Sequence, residues 1–505
     1  MTDSPPLVLP LDEHNRALLD RVHPPTWRNP TPAPRYDLVV IGGGTAGLVS
    51  AAGAASLGAR VALVERRLLG GDCLNVGCVP SKALLRTARA VGEVRRASAL
   101  GVDVGVARVD FSACMRRMRE RRAAISPNDS AQRLANMGVD VFFGGARFTG
   151  PDSIEADGAR LSFRRAIIAA GGRPAAPPVD GLASVPYLTN ETLFWLTELP
   201  PRLIVVGGGP IGCEMAQAFA RFGSEVTVLD VMPRILPRED PDAAGIVMRR
   251  LSEDGIRFQL GVTLHEVRAR DGTIWVRFDG GGLAGELTAE ALLVAAGRAP
   301  NVEDLGLEAA RIDFAPQGIV VNDRLQTTNR RVFAAGDVCS PYKFTHAADA
   351  LARVAVQNAL FFGRRRATAL TIPWATYTDP EVAHVGRYAH EDSPGAPPLE
   401  TITVPLSDVD RAVLDEQVDG FVRVHHVRGR LAGCTIVAAH AGDLIAEACF
   451  AMTRGGTLSE LSAAIHPYPT QAEALRKAGD AYRRTLLTAS LRRWFDRYFR
   501  ATRSW

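Results

Sequence analysis

Lysine is nearly missing from this 505-residue chain: Lys82, Lys343 and Lys477 stand against 56 arginines. Cysteine is sparse, with seven in all, which excludes a small disulfide-stapled scaffold. No run of 18 apolar residues occurs, so nothing is expected to span a membrane. Neither sign of charge predominates: the net of +4 gives no case for nucleic acid as a partner. The opening Met1-Thr2-Asp3-Ser4-Pro5-Pro6 lacks the basic start and apolar core of a secretory signal. The expectation is a protein of the reducing cytoplasm, where a close cysteine pair is more often catalytic than structural. With 47% hydrophobic and 23% charged residues the chain is globular in composition, and its length predicts about three domains.

What is present centres on Gly70-Gly71-Asp72-Cys73-Leu74-Asn75-Val76-Gly77-Cys78-Val79-Pro80-Ser81-Lys82. Two cysteines five positions apart sit where a loop becomes a helix, expected over Ala83–Ala97. Regular helix geometry would hold their Cα atoms about 8–9 Å apart, whereas a disulfide needs about 4.4–6.8 Å. Bridging them requires a distorted first turn, for which Gly77 and the pre-proline Val79 supply slack. A bond in such geometry is readily reduced, and the positive end of the following helix favours the thiolates once it opens. Two buried thiols or half a zinc site are the alternatives. Zinc prefers CxxC spacing and a second pair, which Cys114, Cys213, Cys339, Cys434 and Cys449 do not provide. In a chain that almost always uses arginine, Lys82 four residues after Cys78 points to a place that needs a compact ammonium.

Two glycine-rich turns flank this segment in the pattern strand, GxGxxG, helix, strand, acid. The first runs from Tyr36–Ile41 through Gly42, Gly44 and Gly47 to a strand ending at Glu65. The second runs from Arg202–Val206 through Gly207, Gly209 and Gly212 to Asp230. In both, the acid follows the third glycine by 18 residues. Such glycines let a pyrophosphate approach a helix N-terminus while the acid takes ribose hydroxyls. Two copies mean two dinucleotides, assigned as FAD first and a nicotinamide second. Strands entering Gly171 and Gly297 read as exits from nucleotide domains, and Val332–Asp337 as a strand ending at an acid suited to ribityl hydroxyls, or to capping a helix. Beyond Pro373 the alternating strands and helices indicate an α+β domain. Residues 1–35, with eight prolines, read as an irregular arm with one short helix over Asp12–Val22, either packed on the body or disordered.

Together these motifs resemble the pyridine nucleotide–disulfide oxidoreductases of the glutathione reductase and dihydrolipoamide dehydrogenase type, over about Tyr36–Tyr482. The resemblance implies an α/β fold with two Rossmann-like dinucleotide-binding domains and a C-terminal α+β dimerisation domain. Its parts are an arm (1–35), the FAD domain (36–180, returning at 303–371), an NAD(P) domain (181–302), an interface domain (372–480) and a tail (481–505). It implies a homodimer that shares its active sites, and electron flow from the nicotinamide through FAD to a Cys73–Cys78 disulfide. Cys78 would lie against the flavin and Cys73, the more exposed, would meet substrate. Lys82 would pair with Glu214 near the flavin. Asp337, with Gly71, Gly171 and Gly297, would join the cofactor contacts. Asp230, followed by Val231 rather than an arginine pair, favours NADH over NADPH, although Arg234 and Arg238 are near.

One departure bears on the acceptor. The family's His-Pro-Thr-x-x-Glu is written here His466-Pro467-Tyr468-Pro469-Thr470-Gln471-Ala472-Glu473. Glu473 is in place, but Tyr468 holds the acid/base position. A phenol with an ordinary pKa near 10 cannot shuttle protons as imidazole does. Tyrosine there resembles the mercuric reductases, whose acceptor is a soft metal ion, here Hg(II) or another small acceptor. No N-terminal CxxC domain and no C-terminal cysteine pair accompany it. A disulfide reductase or dihydrolipoamide dehydrogenase-like enzyme using His466, a flavin-direct quinone reductase, and a non-catalytic scaffold are the alternatives. The tail from Ala481 carries seven arginines and one acid, with Leu487, Leu491, Trp494, Phe495, Tyr498 and Phe499 largely on one helical face. It is expected either to touch an anionic membrane or to pack on the protein's own surface.

Overall fold

A computed structural model describes residues 8–106, 108–391, 395 and 397–503. Met1–Leu7, read above for a signal, and Ser504–Trp505 at the end of the tail lie outside it. The chain forms two compact units, one of Met1–Arg234 and Asp254–Leu370, the other of Ile235–Glu253 and Thr371–Trp505.

In the first unit, Tyr36–Ile41 is the central strand of a parallel sheet. It pairs with Val61–Glu65 on one side and Ala159–Ile168 on the other, with Val139–Phe143 and Val332–Ala334 outside them. Unbroken apolar text such as Leu38-Val39-Val40-Ile41 is what a sheet covered on both faces requires, and all four side chains are buried. The helix Thr45–Ser56 is built largely from Ala, Gly and Ser. That composition lets it lie close to Thr345–Leu360, the helix after the Gly336–Asp337 turn. A second parallel sheet is centred on Arg202–Val206, between Glu225–Asp230 and Ala291–Val294. Both nucleotide-type sheets of the expected fold are therefore present. An antiparallel meander of Thr263–Arg270, Thr273–Gly280 and Leu283–Ala289 was not expected from the sequence. Its alternation is visible only in the middle strand, where Ile274, Val276 and Phe278 are buried.

Over its described residues, from Val8 on, the arm is ordered. Asp12 caps the helix Glu13–Val22 by accepting from the Asn15 amide at 2.9 Å. Leu18 and Val22 bury fully. The Asn29 carboxamide then pairs with the main chain of Phe143 in both directions, at 2.8 Å each, as a neighbouring strand would. Packing on the body, rather than disorder, is the outcome for the described part of the arm, because it covers a sheet edge that would otherwise leave its backbone groups open.

The second unit contains a five-stranded antiparallel sheet in the order Pro373–Thr376, Glu381–Gly386, Arg430–Ala438, Phe421–Val427, Glu400–Pro405. Helices Ala441–Thr453, Leu458–Ala463 and Glu473–Thr485 pack on it around Val385, Ile436, Ala448 and Leu475. This is the expected α+β domain. Thr488 caps a last helix, Ala489–Thr502, none of whose residues is buried. Within the tail, Tyr482 packs on the sheet beside His426, whereas this last helix is exposed along its length. No helix among the described residues is long and apolar enough to cross a membrane.

Candidate active site

The redox segment is a broken helix. Gly71–Val76 forms one short piece, Gly77 interrupts it, and Cys78 begins the helix Cys78–Arg96, five residues before the expected start. Gly77 is required by close approach: a Cβ there would lie 2.8 Å from the Asp72 carbonyl oxygen and 3.5 Å from Cys73 Cα. Pro80 is tolerated because it sits in the first turn, where a missing N–H costs nothing. Both cysteines are free thiols here, so the pair is seen as a dithiol.

Cys73 donates to Cys78, which holds the Cys73 thiol far above its ordinary pKa and lowers Cys78 to about 6. The Thr345 hydroxyl, 3.3 Å from Cys78 Sγ, and the Lys82 ammonium add to the depression. Lys82 Nζ lies 2.8 Å from Glu214 Oε2, whose side chain is only 5% exposed. The lone lysine of the redox helix is thus held by a buried carboxylate of the second glycine-rich helix. Cys78 is exposed and Cys73 half-buried. Cys73 lies within the short helical piece, whereas Cys78 stands at the open start of the next helix.

Both glycine-rich turns have the geometry a pyrophosphate needs. A Cβ on Gly47 would meet the Gly42 carbonyl oxygen at 1.7 Å, and one on Gly212 would meet that of Gly207 at 1.8 Å. Both acids reach back to the turn. Glu65 accepts from the Gly43 amide at 2.6 Å, and Asp230 from the Gly208 amide at 2.5 Å. Each also accepts from the amide two residues on, Arg67 or Met232. Gly71, at φ +54°, packs against Gly44, where a Cβ would come within 2.7 Å of Cα. Gly171 and Gly297 lie beside two short paired strands, Gly172–Pro174 and Arg298–Pro300. Asp337 is half-buried, and desolvation raises its carboxyl pKa; it lies 3.6 Å from Arg298, which also bonds Asp72. Lys343 donates to the Asp337 carbonyl. Thr345 and Arg298 were not assigned from the sequence. Arg298 stood in a motif read only as a domain exit, and nothing in the local text marks Thr345.

The C-terminal residues lie in the second unit, and each has its own hydrogen-bond or ion-pair partner. His466 is turned inward, its side chain 7% exposed, with Nε2 at 3.0 Å from Glu447 and Nδ1 at 3.1 Å from the Ala464 carbonyl. Tyr468 is exposed and donates to Asp410 at 2.9 Å, which raises its phenol pKa. Glu473 pairs with Arg476, leaving its Oε2 buried without a partner. Lys477 donates to the Asp408 carbonyl.

A family profile described as pyridine nucleotide-disulphide oxidoreductase matches residues 36–359, and the family's dimerisation domain matches 372–479. The chain belongs to the pyridine nucleotide–disulphide oxidoreductases. A mercuric reductase of Lysinibacillus sphaericus is 32% identical over 446 residues, covering 88% of this chain and 82% of that one. A dihydrolipoyl dehydrogenase of Thermus scotoductus is 34% identical over 453 residues, covering 88% and 97%. A solved Cu(II) complex of the HOCl-induced flavoprotein disulfide reductase RclA from Escherichia coli shares 27% identity at a TM-score of 0.78, covering 89% and 100%. Members of this family use FAD and NAD(P)H, and the dimerisation domain supports a homodimer. The residues here fit both cofactors: each turn admits only glycine at its third position, and each carries its acid.

Proposed function

We propose that this oxidoreductase passes electrons from NADH through FAD to Cys73–Cys78 and on to a soft metal ion such as Hg(II) or Cu(II). FAD, when bound, supplies the electron relay between the nicotinamide and the sulfur pair. Cys78 takes the flavin-facing role, since its thiol is acidic, its helix start is open and Thr345 and Lys82 attend it. Cys73 meets the acceptor. Lys82 and Glu214 hold the local charge balanced as electrons arrive. Asp230, bonded to backbone amides rather than to an arginine, supports NADH.

The observation that carries the choice of acceptor is Tyr468. Reduction of Hg(II) by NADH gives NAD⁺, H⁺ and Hg(0), and needs no proton delivered to a leaving thiol. Reduction of a disulfide consumes a proton. Tyr468 bonds Asp410 with a raised phenol pKa and so keeps its proton at neutral pH, while both ring nitrogens of His466 are engaged. Thiolates suit a soft ion as ligands, and the mercuric reductase relative and the Cu(II) complex support that class. The second reading, lipoamide or another disulfide as acceptor, is favoured by the dihydrolipoyl dehydrogenase relative. In either case Tyr468 would be supplied across the dimer interface. The test is anaerobic NADH oxidation with Hg(II) in excess thiol against oxidised lipoamide. Turnover with mercury alone is expected; turnover with lipoamide alone would overturn the metal reading. Cys73→Ser is expected to abolish activity, and its survival would point to direct transfer from flavin to quinones.

We infer further that the tail helix meets an anionic lipid surface, in keeping with a cytoplasmic protein that attaches peripherally. Trp494 and Tyr498 are 57% and 51% exposed, and they share the helix with Arg492, Arg493, Arg497 and Arg500. An apolar stripe flanked by fixed cations is the chemistry of a headgroup boundary. Sedimentation with phosphatidylserine vesicles, before and after truncation at Arg484, checks this. Equal binding by both forms removes the idea, and a smaller oligomer after truncation would assign the helix to a second copy instead.

A further inference from the structure

Breaking the redox helix at Gly77 draws Cys78 back toward Cys73, and it also frees main-chain carbonyls at the end of the first piece. The Val76 carbonyl has Pro80 four residues on, which has no N–H to offer; the Asn190 side chain takes it at 3.2 Å. The Asn75 carbonyl is taken by Arg122 Nη1 at 2.5 Å. The Asn75 side chain in turn donates to the Leu69 and Gly71 carbonyls, tying the piece to its own start.

Arg122 is an unusual residue to find there. It is 1% exposed, and its hydrogen-bond acceptors among the described residues are neutral. Nη1 goes to Asn75, Nη2 goes to Asn15 Oδ1 at 2.6 Å, and Nε has none. The neighbouring Asp12 is bonded to Arg119 instead. A guanidinium held in the interior by neutral oxygens alone is costly, so its geometry is fixed by those few bonds. One of them comes from the N-terminal arm. Asn15 is itself fully buried, its amide bonded to Asp12 and its Nδ2 to the Pro10 carbonyl. Arg21 of the same helix bonds the Ala123 carbonyl, one residue beyond Arg122. Beside the apolar packing of Leu18 and Val22 in one cluster with Leu74, the arm therefore reaches the segment between the two cysteines through a buried polar relay, Asn15 to Arg122 to Asn75.

We propose that the N-terminal arm is a positioning element of the redox pair, with Asn15 acting through Arg122 on the Asn75 carbonyl to keep Cys73 and Cys78 within bonding range. This rests on the reading of Cys73–Cys78 as a redox couple. The arm lies before residue 36, where the family match begins. Loosening the bridge lowers the effective concentration of one thiol at the other, which destabilises the disulfide relative to the dithiol and leaves the nucleotide turns untouched.

The test is the thiol–disulfide equilibrium of the holoenzyme in glutathione buffers, in which oxidised glutathione takes the two electrons and two protons of the dithiol. Asn15→Leu, close in size but without the acceptor, is expected to shift the equilibrium tenfold or more toward dithiol, about 30 mV for a two-electron couple. Asn15→Asp keeps an acceptor for Arg122 and is expected to stay within threefold of the parent. Flavin content and the rate of flavin bleaching by NADH serve as controls and should not move. If Asn15→Leu does not fold, Asn15→Ser shortens the acceptor without added bulk and carries the same expectation. An equilibrium within twofold of the parent in a folded, flavin-loaded variant would assign the arm a structural role only. A parent enzyme showing no exchange with glutathione would remove the redox reading itself, and with it this proposal.

Discussion

The two glycine-rich copies repeat one another nearly residue for residue, yet they are enclosed to different degrees. In the first, Gly44 lies against Gly71 of the redox segment, Gly43 faces Leu69 and Glu65, and Ala46 at the helix start is 5% exposed. In the second, a Cβ at Gly209 would meet nothing within 4 Å, and Ile211 at the helix start is 38% exposed. A roofed turn suits a group that stays, and an open one suits a co-substrate that must leave at every turnover. The sequence pattern specifies what each turn grips; the segment that follows decides for how long.

The sharpest way to break this comparison is to fill the third glycine of each copy. Gly47→Ala is expected to abolish flavin retention, seen as a loss of more than tenfold in visible absorbance per protein. Gly212→Ala should keep the flavin while raising KM for NADH at least tenfold; flavin loss from both variants would erase the distinction. Next in size is the link between the copies. Lys82→Met removes the ammonium that faces the buried Glu214 carboxylate. For fully buried pairs this costs about 3–5 kcal/mol, and with Lys82 36% exposed about 1–3 kcal/mol is expected. Thermal unfolding reads the stability loss, and stopped-flow flavin reduction should slow tenfold or more. A smaller effect sharpens the first site. With Cys78 lowered to about 6, alkylation of the reduced enzyme by iodoacetamide should rise about tenfold per pH unit below 6 and level off above 7. The sign follows from the thiolate being the reactive form, and a rise that continues to pH 9 would mean the thiol is ordinary. The smallest effects belong to the acids: Asp230→Asn should raise KM for NADH a few-fold with flavin content unchanged, whereas Glu65→Gln should weaken flavin retention and leave that KM alone.

Much of this fold was legible because it is repetitive and apolar. Arg202–Val206 and Arg430–Ala438 have the bounds their text suggests, and the parallel strands are continuous hydrophobic runs bounded by glycines. The redox pair was legible because two cysteines at that spacing demand a helix break, and Gly77 supplies it. What stayed hidden depends on distance in the chain. Thr345 lies 267 positions from Cys78, and Asn15 lies 107 from Arg122; no local period connects them. The meander over Thr263–Ala289 escaped because its outer strands, largely exposed, carry no clear alternation.

All three lysines are engaged: Lys82 with Glu214, Lys343 with the Asp337 carbonyl, Lys477 with the Asp408 carbonyl, and none of them is fully exposed. Amine-directed reagents, whether acylating labels, aldehydes or cross-linkers, therefore find only three lysine targets, each partly covered, on a surface of guanidinium groups. Its cationic side chains keep their protons far into alkali, because nearly all of them are arginine, which holds its proton beyond pH 12.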